Sequence, residues 1–175
     1  MNPRHLRWAT VAGNHADALA AGTHSGLRNR GESHPLAKLT WALVREIRGH
    51  GSPFKAPVAL LSGGECTVTV TGNGAGGPNQ EYALGLAIAL GGSLGISALA
   101  ADTDGIDGGG GSATDPAGAV VSPDTLARAQ QLALNPATIL ANNDSTAFFA
   151  ALGDLVRCGP TQTNVNDFRA ILVDP

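Results

Sequence analysis

The sequence is short of charge and of cysteine. Charged residues make up 14 % of the 175 residues, against a typical ~25 %, whereas apolar residues make up 43 %. This composition excludes a disordered chain, because disorder needs low hydrophobicity and high net charge. A net charge of −3 also argues against nucleic acid as a partner, since such binding needs many phosphate contacts. Cys66 and Cys158 are too few for a disulfide scaffold and lack metal-ligand spacing.

No basic segment followed by an apolar stretch opens the sequence, so we expect no signal peptide. Residues 82–101 carry no formal charge and are long enough to span a bilayer. Gly91, Gly92 and Ser93 interrupt this run, so a helix followed by a buried strand is the better interpretation. We therefore expect a cytoplasmic protein without a membrane partner.

Periodicity divides the sequence into two parts. Residues 1–55 predict two helices, one beginning near Asn14 and one near Pro35, and no obvious strand. Residues 56–175 alternate between strands and helices, which predicts an α/β domain: a layered mixed sheet with helices on both faces. Strands are predicted at 58–61, 67–71, 94–101, 118–121 and 168–173, and helices at 79–90, 124–133 and 144–152.

Two glycine-rich segments adjoin the predicted elements. Residues 62–65, Ser-Gly-Gly-Glu, allow a backbone to approach an anion closely, although a tight turn explains the same residues. Residues 72–77 carry G-x-G-x-G-G between a strand and a helix, where helix N-termini hold phosphate. They match neither the dinucleotide fingerprint nor the P-loop. A flexible hairpin with Asn79 as helix cap is the alternative.

Two further polar segments supply carboxylates and amides. Asp102, Asp104 and Asp107 follow a predicted strand and suit Mg²⁺, which takes one or two carboxylates. A solvated acidic turn is the alternative, and a calcium loop is excluded because the glutamate at its twelfth position is absent. Residues 142–145 and 161–167 add short polar side chains, which also cap helices routinely.

Positive charge is scarce where these segments lie. Residues 1–55 carry eight basic and three acidic side chains, whereas residues 56–175 carry three basic and eleven acidic ones. The three are Arg128, Arg157 and Arg169. Transfer of a phosphoryl group needs Lys or Arg on the migrating group. A phosphate-handling site in residues 56–175 therefore has to receive cations from elsewhere.

These segments together resemble the MOFRL domain over roughly residues 56–175. That domain is the carboxy-terminal part of class II glycerate kinases, ATP-dependent enzymes that phosphorylate D-glycerate at its 2-hydroxyl. Some relatives are labelled hydroxypyruvate reductase of tartrate degradation. The motifs that carry the resemblance are Leu61-Ser62-Gly63-Gly64-Glu65, Gly77-Pro78-Asn79-Gln80-Glu81, residues 102–108, Ala141-Asn142-Asn143-Asp144-Ser145, Gly153-Asp154-Leu155 and residues 159–167.

The resemblance implies one lobe of a two-lobed enzyme whose active site lies between the lobes. The partner would be the amino-terminal kinase lobe, which carries a lysine important for catalysis, and residues 1–55 resemble the stretch that joins the lobes. Many relatives have Arg in the Gly-Gly-Arg-Asn-Gln-Glu motif. Pro78 stands at that position here, so the role of that arginine cannot be transferred.

We therefore expect the carboxy-terminal lobe of a glycerate 2-kinase, with ATP and Mg²⁺ as cofactors and D-glycerate as substrate. Glu65, Asp104 and Asp107 are the expected catalytic residues, and Asp104 and Asp107 the expected Mg²⁺ ligands. Expected to bind substrate or nucleotide are Ser62, Gly63, Gly64, Gly74, Gly76, Gly77, Asn79, Gln80, Glu81, Thr103, Asn143, Asp144, Asn164 and Asp167. The alternatives are a non-catalytic ligand-binding fragment and a hydroxypyruvate reductase, for which no dinucleotide fingerprint is present.

Overall fold

The computed structural model describes residues 41–51, 53–108 and 110–175. The described residues belong to one compact unit, residues 41–175. The helix predicted near Asn14 and the start of the helix predicted at Pro35 lie outside the described residues. The predicted domain division at residue 55 stays a prediction.

The described residues form an α/β unit, which confirms the predicted class. Its helices are α1 (Trp41–His50), α2 (Pro78–Leu90), α3 (Thr125–Gln131), α4 (Pro136–Ala141) and α5 (Ser145–Leu152). Its strands are β1 (Val58–Gly63), β2 (Ile96–Asp102), β3 (Gly118–Val121), β4 (Leu155–Val156) and β5 (Asp167–Val173). Among the described helices, none is both long and apolar enough to cross a membrane.

The strands form one sheet in the order β1-β5-β2-β3-β4. Every neighbouring pair is antiparallel, whereas the sequence predicted a mixed sheet. The last strand, β5, lies between β1 and β2, pairing Arg169 with Ser62 on one side and Asp167 with Asp102 on the other. The ends of β1 and β2 therefore meet the beginning of β5 at one edge of the sheet.

The core lies on one face of this sheet. Helix α2 packs against β2 and β3, and its buried apolar residues include Leu84 and Leu86. Along β5, burial alternates as expected for a strand with one covered face. The large apolar side chains of the opposite face stay exposed, so the described helices leave that face largely open rather than covering both faces as predicted. They are Leu61, Val120, Phe168 and Leu172.

Three local predictions differ from the structure. No strand forms at residues 67–71, because Thr71 and Gly72 donate their N–H groups to the Asn143 side chain rather than to a neighbouring strand. Helix α4 and the two-residue strand β4 were not predicted. Both are too short for a periodic hydrophobic pattern to develop.

Phe148 is fully buried and packs edge-on against Phe149, with ring centroids 5.1 Å apart. We expect Phe148→Ala to lower the free energy of unfolding by about 3–5 kcal/mol, since it removes a buried aromatic ring and leaves a cavity. Phe168→Ala is the matched control, because Phe168 lies on the open face with 39 % of its surface exposed. Its cost should be about 1 kcal/mol. Equal costs in urea unfolding would contradict the assignment of the core to one face.

Candidate functional site

The polar segments found in the sequence converge on the edge where β1 and β2 end and β5 begins. We call this region the polar edge; it comprises residues 62–66, 71–81, 102–108, 142–146 and 161–169. Its members are joined by hydrogen bonds between residues as far apart as Cys66 and Asp167, or Gly72 and Asn143. Tertiary structure thus brings the predicted polar segments together.

Asp107 lies at the beginning of α2 and is 2 % exposed. Its Oδ1 accepts hydrogen bonds from the backbone N and the Nδ2 of Asn79, at 2.9 and 3.0 Å. Its Oδ2 accepts from the backbone N and the Nε2 of Gln80, at 2.9 and 3.0 Å. Burial raises the pKa of Asp107, and these four donors oppose that shift. Asp107 therefore caps the helix and orients two amide side chains.

Asn79 connects this cap to β5. Its Nδ2 also donates to Asp167 Oδ1 at 2.6 Å, while Asp167 Oδ2 accepts from the backbone N of Cys66. Asn79 Oδ1 is buried without a hydrogen-bond partner in the described part of the chain. Asn79, Gln80 and Asp167, predicted as ligand-binding residues, are therefore buried members of one network.

Arg169 donates hydrogen bonds to the turn that follows β1. Its Nε donates to Ser62 Oγ at 3.2 Å, and its NH2 donates to the carbonyl oxygens of Gly63 and Gly64 at 2.9 and 3.0 Å. Its NH1 donates to Cys66 Sγ and lies 3.9 Å from Asp167 Oδ2. The guanidinium is fully engaged within the protein.

Cys66 is half-buried beneath the same turn. Burial raises the pKa of its thiol to about 11, although the positive charge of Arg169 opposes the shift. A thiol with so high a pKa is a weak nucleophile at neutral pH. We therefore assign Cys66 to packing.

The glycine loop, residues 72–77, is hydrogen-bonded to the turn between α4 and α5. Thr71 and Gly72 donate their backbone N–H groups to Asn143 Oδ1, and Ala75 donates to Asp144 Oδ1. The N–H groups of residues 73 and 74 bond to the side chain and the carbonyl of Asn142. Five consecutive N–H groups are thus occupied, so the loop does not present them to a phosphate.

Close packing explains the spacing of these glycines. A Cβ on Gly72 or Gly74 would collide with the backbone at residues 142 and 144, and one on Gly77 would collide with the backbone of Asp107. A Cβ on Gly76 would collide with Ser145 Oγ. Only glycine permits such an approach.

Glu81 lies at the inner end of this loop and is 8 % exposed. Its Oε2 accepts from Asn143 Nδ2 at 3.4 Å. Burial raises the pKa of Glu81, and contacts with Ser145 and Asn143 partly oppose the shift. A carboxyl group in this setting favours the protonated form more than an exposed glutamate does.

The acidic turn after β2 has more open side chains. Asp104 Oδ1 accepts from the N of Ile106 at 2.8 Å, and its Oδ2 lies 3.4 Å from the donating Nδ2 of Asn164. Thr103 Oγ1 donates to the carbonyl of Asn166 at 2.7 Å. Burial raises the pKa of Asp102. This turn is therefore tied to residues 161–167, with Asp104 and Asn164 at its surface.

Glu65 is exposed and makes no hydrogen bond within the described residues.

Arg128 is paired with Asp154 at 2.7 Å and with Asp124 at 3.2 Å. Arg157 donates to the carbonyl of Thr114. All three arginines of residues 56–175 are thus engaged by protein groups.

The Mg²⁺ site expected at Asp104 and Asp107 stays a prediction. The acceptor positions of Asp107 are filled by N–H donors, which leaves it unable to bind a cation in this arrangement. Within the described residues, no group of three or more His, Cys, Asp or Glu side chains is placed to hold a metal ion. Of the expected pair, Asp104 keeps free acceptor positions, because its oxygens accept single hydrogen bonds.

Sequence reasoning missed Arg169 as a member of the polar edge. Arg169 belongs to a strand whose residues alternate between buried and exposed, and its inward position marks it as a polar group that needs partners. That alternation was the signal available in the sequence.

The fold and the polar edge define an α/β lobe that gathers amides, carboxylates and glycines at one end of a sheet. The model of the MOFRL family matches residues 58–167. The chain therefore belongs to the MOFRL family, which confirms the resemblance.

Relatives named as glycerate kinases match this chain. D-glycerate 2-kinase of Thermotoga maritima is 41 % identical over 136 residues, which are 78 % of this chain and 32 % of the relative. An Agrobacterium vitis protein named "Putative hydroxypyruvate reductase" is 46 % identical over 145 residues, 82 % of this chain and 32 % of the relative. The chain spans about a third of the length of these relatives.

Two solved structures are similar to this chain in fold and in sequence. The crystal structure of glycerate kinase from Thermotoga maritima superposes with a TM-score of 0.71 at 42 % identity, covering 76 % of this chain and 31 % of that one. A Pyrococcus horikoshii protein superposes with a TM-score of 0.70 at 38 % identity, covering 77 % of this chain and 30 % of that one.

We expect Asp107→Asn to lower the free energy of unfolding by about 2–4 kcal/mol, because in either amide orientation the new NH₂ faces two N–H donors. Asp104→Asn is the matched control and should cost less than about 1 kcal/mol, since Asp104 accepts from single donors near the surface. Chemical denaturation of the two variants measures both costs. A smaller cost at Asp107 than at Asp104 would refute the capping role.

The raised pKa of Glu81 predicts a pH dependence of stability. The folded state binds the proton more tightly than the unfolded state, so this contribution is present below the ordinary pKa of 4.5 and is lost as pH rises through the raised value. Glu81→Gln should therefore flatten the decline of the unfolding free energy above pH 4.5. Unfolding measured from pH 4 to pH 8 checks this, and identical slopes in wild type and Glu81→Gln would contradict the prediction.

Proposed function

We propose that this chain provides one lobe of a glycerate 2-kinase, which transfers the terminal phosphoryl group of ATP to the 2-hydroxyl of D-glycerate. Support comes first from the relatives named glycerate kinase, which match most of this chain at 41 % identity in Thermotoga maritima. It comes also from the polar edge, where neutral and acidic donors and acceptors gather at one end of the sheet.

The observation that carries the proposal is that every arginine of residues 56–175 is already engaged. Arg128 is bound by carboxylates, Arg157 by a carbonyl, and Arg169 by the turn after β1. Phosphoryl transfer requires free cationic groups at the migrating group. The positive charge of the active site would then come from another lobe, as the greater length of the relatives suggests.

The side chains divide into two groups by exposure. Asp107, Asn79, Gln80, Asn143 and Asp167 are buried and act through the loops they hold. The residues that are exposed or half-buried are the better candidates for touching a ligand: Glu65, Thr103, Asp104, Asp144 and Asn164.

Asp104 is our candidate for the group that accepts the proton of the glycerate hydroxyl. Its carboxylate is partly exposed and accepts single hydrogen bonds, which leaves acceptor positions for a substrate hydroxyl. ATP is the proposed phosphoryl donor. We propose that Mg²⁺ accompanies ATP; within the described residues, no group of three or more His, Cys, Asp or Glu side chains is placed to hold it.

The alternatives have less support. A reductase needs a dinucleotide site, yet the N–H groups of residues 71–75 are occupied by residues 142–144. A non-catalytic ligand-binding lobe would share the polar edge but would not support turnover in an enzyme.

We expect the purified 175-residue chain to phosphorylate D-glycerate at no more than the background rate, because the three arginines of residues 56–175 are engaged by protein groups. The chain should become active when it replaces the matching segment of the Thermotoga maritima glycerate 2-kinase. Coupled detection of ADP formation measures both. Activity of the isolated chain, or a folded but inactive chimera, would contradict the proposal.

The chimera also provides a matched pair of variants. Asp104→Asn should lower its kcat at least 100-fold, while Asp115→Asn in the exposed loop beyond should leave kcat within about twofold. Oxidation of NADH with hydroxypyruvate by the chimera would favour the reductase instead.

A further inference from the structure

The turn at residues 62–65 is shaped by a buried arginine. Arg169 is 8 % exposed, and its NH2 donates to two consecutive carbonyl oxygens, those of Gly63 and Gly64. Its Nε donates to the hydroxyl of Ser62. Its guanidinium carbon lies 5.4 Å from the centroid of the Tyr82 ring, so the group is held on its face as well as at its donors.

The hydrogen bonds from Arg169 to the two carbonyl oxygens fix the direction of two backbone N–H groups. In a planar trans peptide, the carbonyl and the following N–H point in opposite directions. Because both carbonyls point toward Arg169, the N–H groups of Gly64 and Glu65 point away from it. Neither donates a hydrogen bond within the described part of the chain, and both residues are exposed. Gly64 has a φ of +103°, which side-chain-bearing residues rarely adopt.

We propose that the N–H groups of Gly64 and Glu65 bind an oxyanion, and that Arg169 is the positioning residue that turns them outward. Successive outward N–H groups form a concave site for an anion. The guanidinium beneath the turn adds positive charge on the side opposite the ligand. The inference rests on the proposed function for the ligand's source, which is the carboxylate of D-glycerate or a phosphate group of the nucleotide.

The glycine loop offers a contrast that supports this choice. Its N–H groups at residues 71–75 are occupied, whereas those of the 62–65 turn remain open at the same polar edge. The neighbouring Glu65 carboxylate is exposed, so solvent and salt screen its repulsion of an anion. Lysine could not replace Arg169, because it lacks the planar fork that reaches the two carbonyls and the hydroxyl together.

The test is a titration of the folded 175-residue chain with inorganic phosphate and, separately, with D-glycerate, followed by ¹⁵N–¹H spectra. We expect saturable shifts of the Gly64 and Glu65 amides with at least one of the two anions. Saturation with phosphate alone assigns the site to the nucleotide, and saturation with D-glycerate alone assigns it to the substrate. Absence of saturable shifts at these amides with both anions would overturn the proposal.

Two variants test the role of the turn. Arg169→Lys should weaken anion binding at least tenfold, and Gly64→Ala should do the same because its φ disfavours a side chain. Gly111→Ala is the matched control: it also has a positive φ, +73°, and open space for a Cβ, but it lies in another loop. It should bind the anion as wild type does.

These outcomes separate the inference from the proposed function. If Arg169→Lys does not fold, Gly64→Ala carries the test, since a Cβ there meets no atom within 4 Å. Unchanged affinity in Gly64→Ala would overturn the proposal. If the chimera is inactive but the Gly64 and Glu65 amides still shift with an anion, the kinase function is contradicted and the anion site is supported. If the chimera is active but these amides do not shift, the anion site is contradicted and the kinase function is supported.

Discussion

The polar edge depends on a buried carboxylate that accepts four N–H donors. Asp107 binds the backbone and side chains of Asn79 and Gln80 at the beginning of α2. An unpaired carboxylate at this depth would be strongly disfavoured, so the donors and the charge must be present together. Through Asn79 the same network reaches Asp167, and through Asp167 it reaches the loop at Cys66. One interaction thus fixes the relative positions of three loops.

Glycine makes this arrangement possible by letting backbones approach each other. The loop at residues 72–77 lies against residues 142–145 and Asp107, where a Cβ would collide with neighbouring atoms. The asparagines of the opposing turn take up the loop's N–H groups. The glycines of residues 72–77 therefore serve packing, while the turn at residues 62–65 keeps the N–H groups of Gly64 and Glu65 open to solvent.

The charge distribution of residues 56–175 is one-sided. Its arginines satisfy protein carbonyls and carboxylates, so the surface it presents is built of amides, hydroxyls and carboxylates. In the function we propose, substrate and nucleotide would lie between this neutral or acidic surface and a cationic one. Such a division would place opposite charges on the two sides of the bound ligands, so that approach of the surfaces would be electrostatically favourable.

Local patterns determined the secondary structure and the family. The strand at residues 118–121 and the helices near 79–90 and 144–152 follow from hydrophobic periodicity and capping residues, which act over a few positions. The glycine-rich and acidic motifs identified the MOFRL family because their order and spacing are properties of the sequence alone. The sequence alone therefore supplied the class, most elements and the segments of the site.

Tertiary structure decided what those segments do. Antiparallel pairing of β5 between β1 and β2 carries Arg169 beneath a turn more than a hundred residues away, and no local pattern encodes that contact. Asp107 resembles a metal ligand in sequence and becomes a helix cap once α2 is placed beside it. Burial and hydrogen-bond partners are properties of neighbours in space, which is why residue types along the chain could not distinguish a ligand from a support.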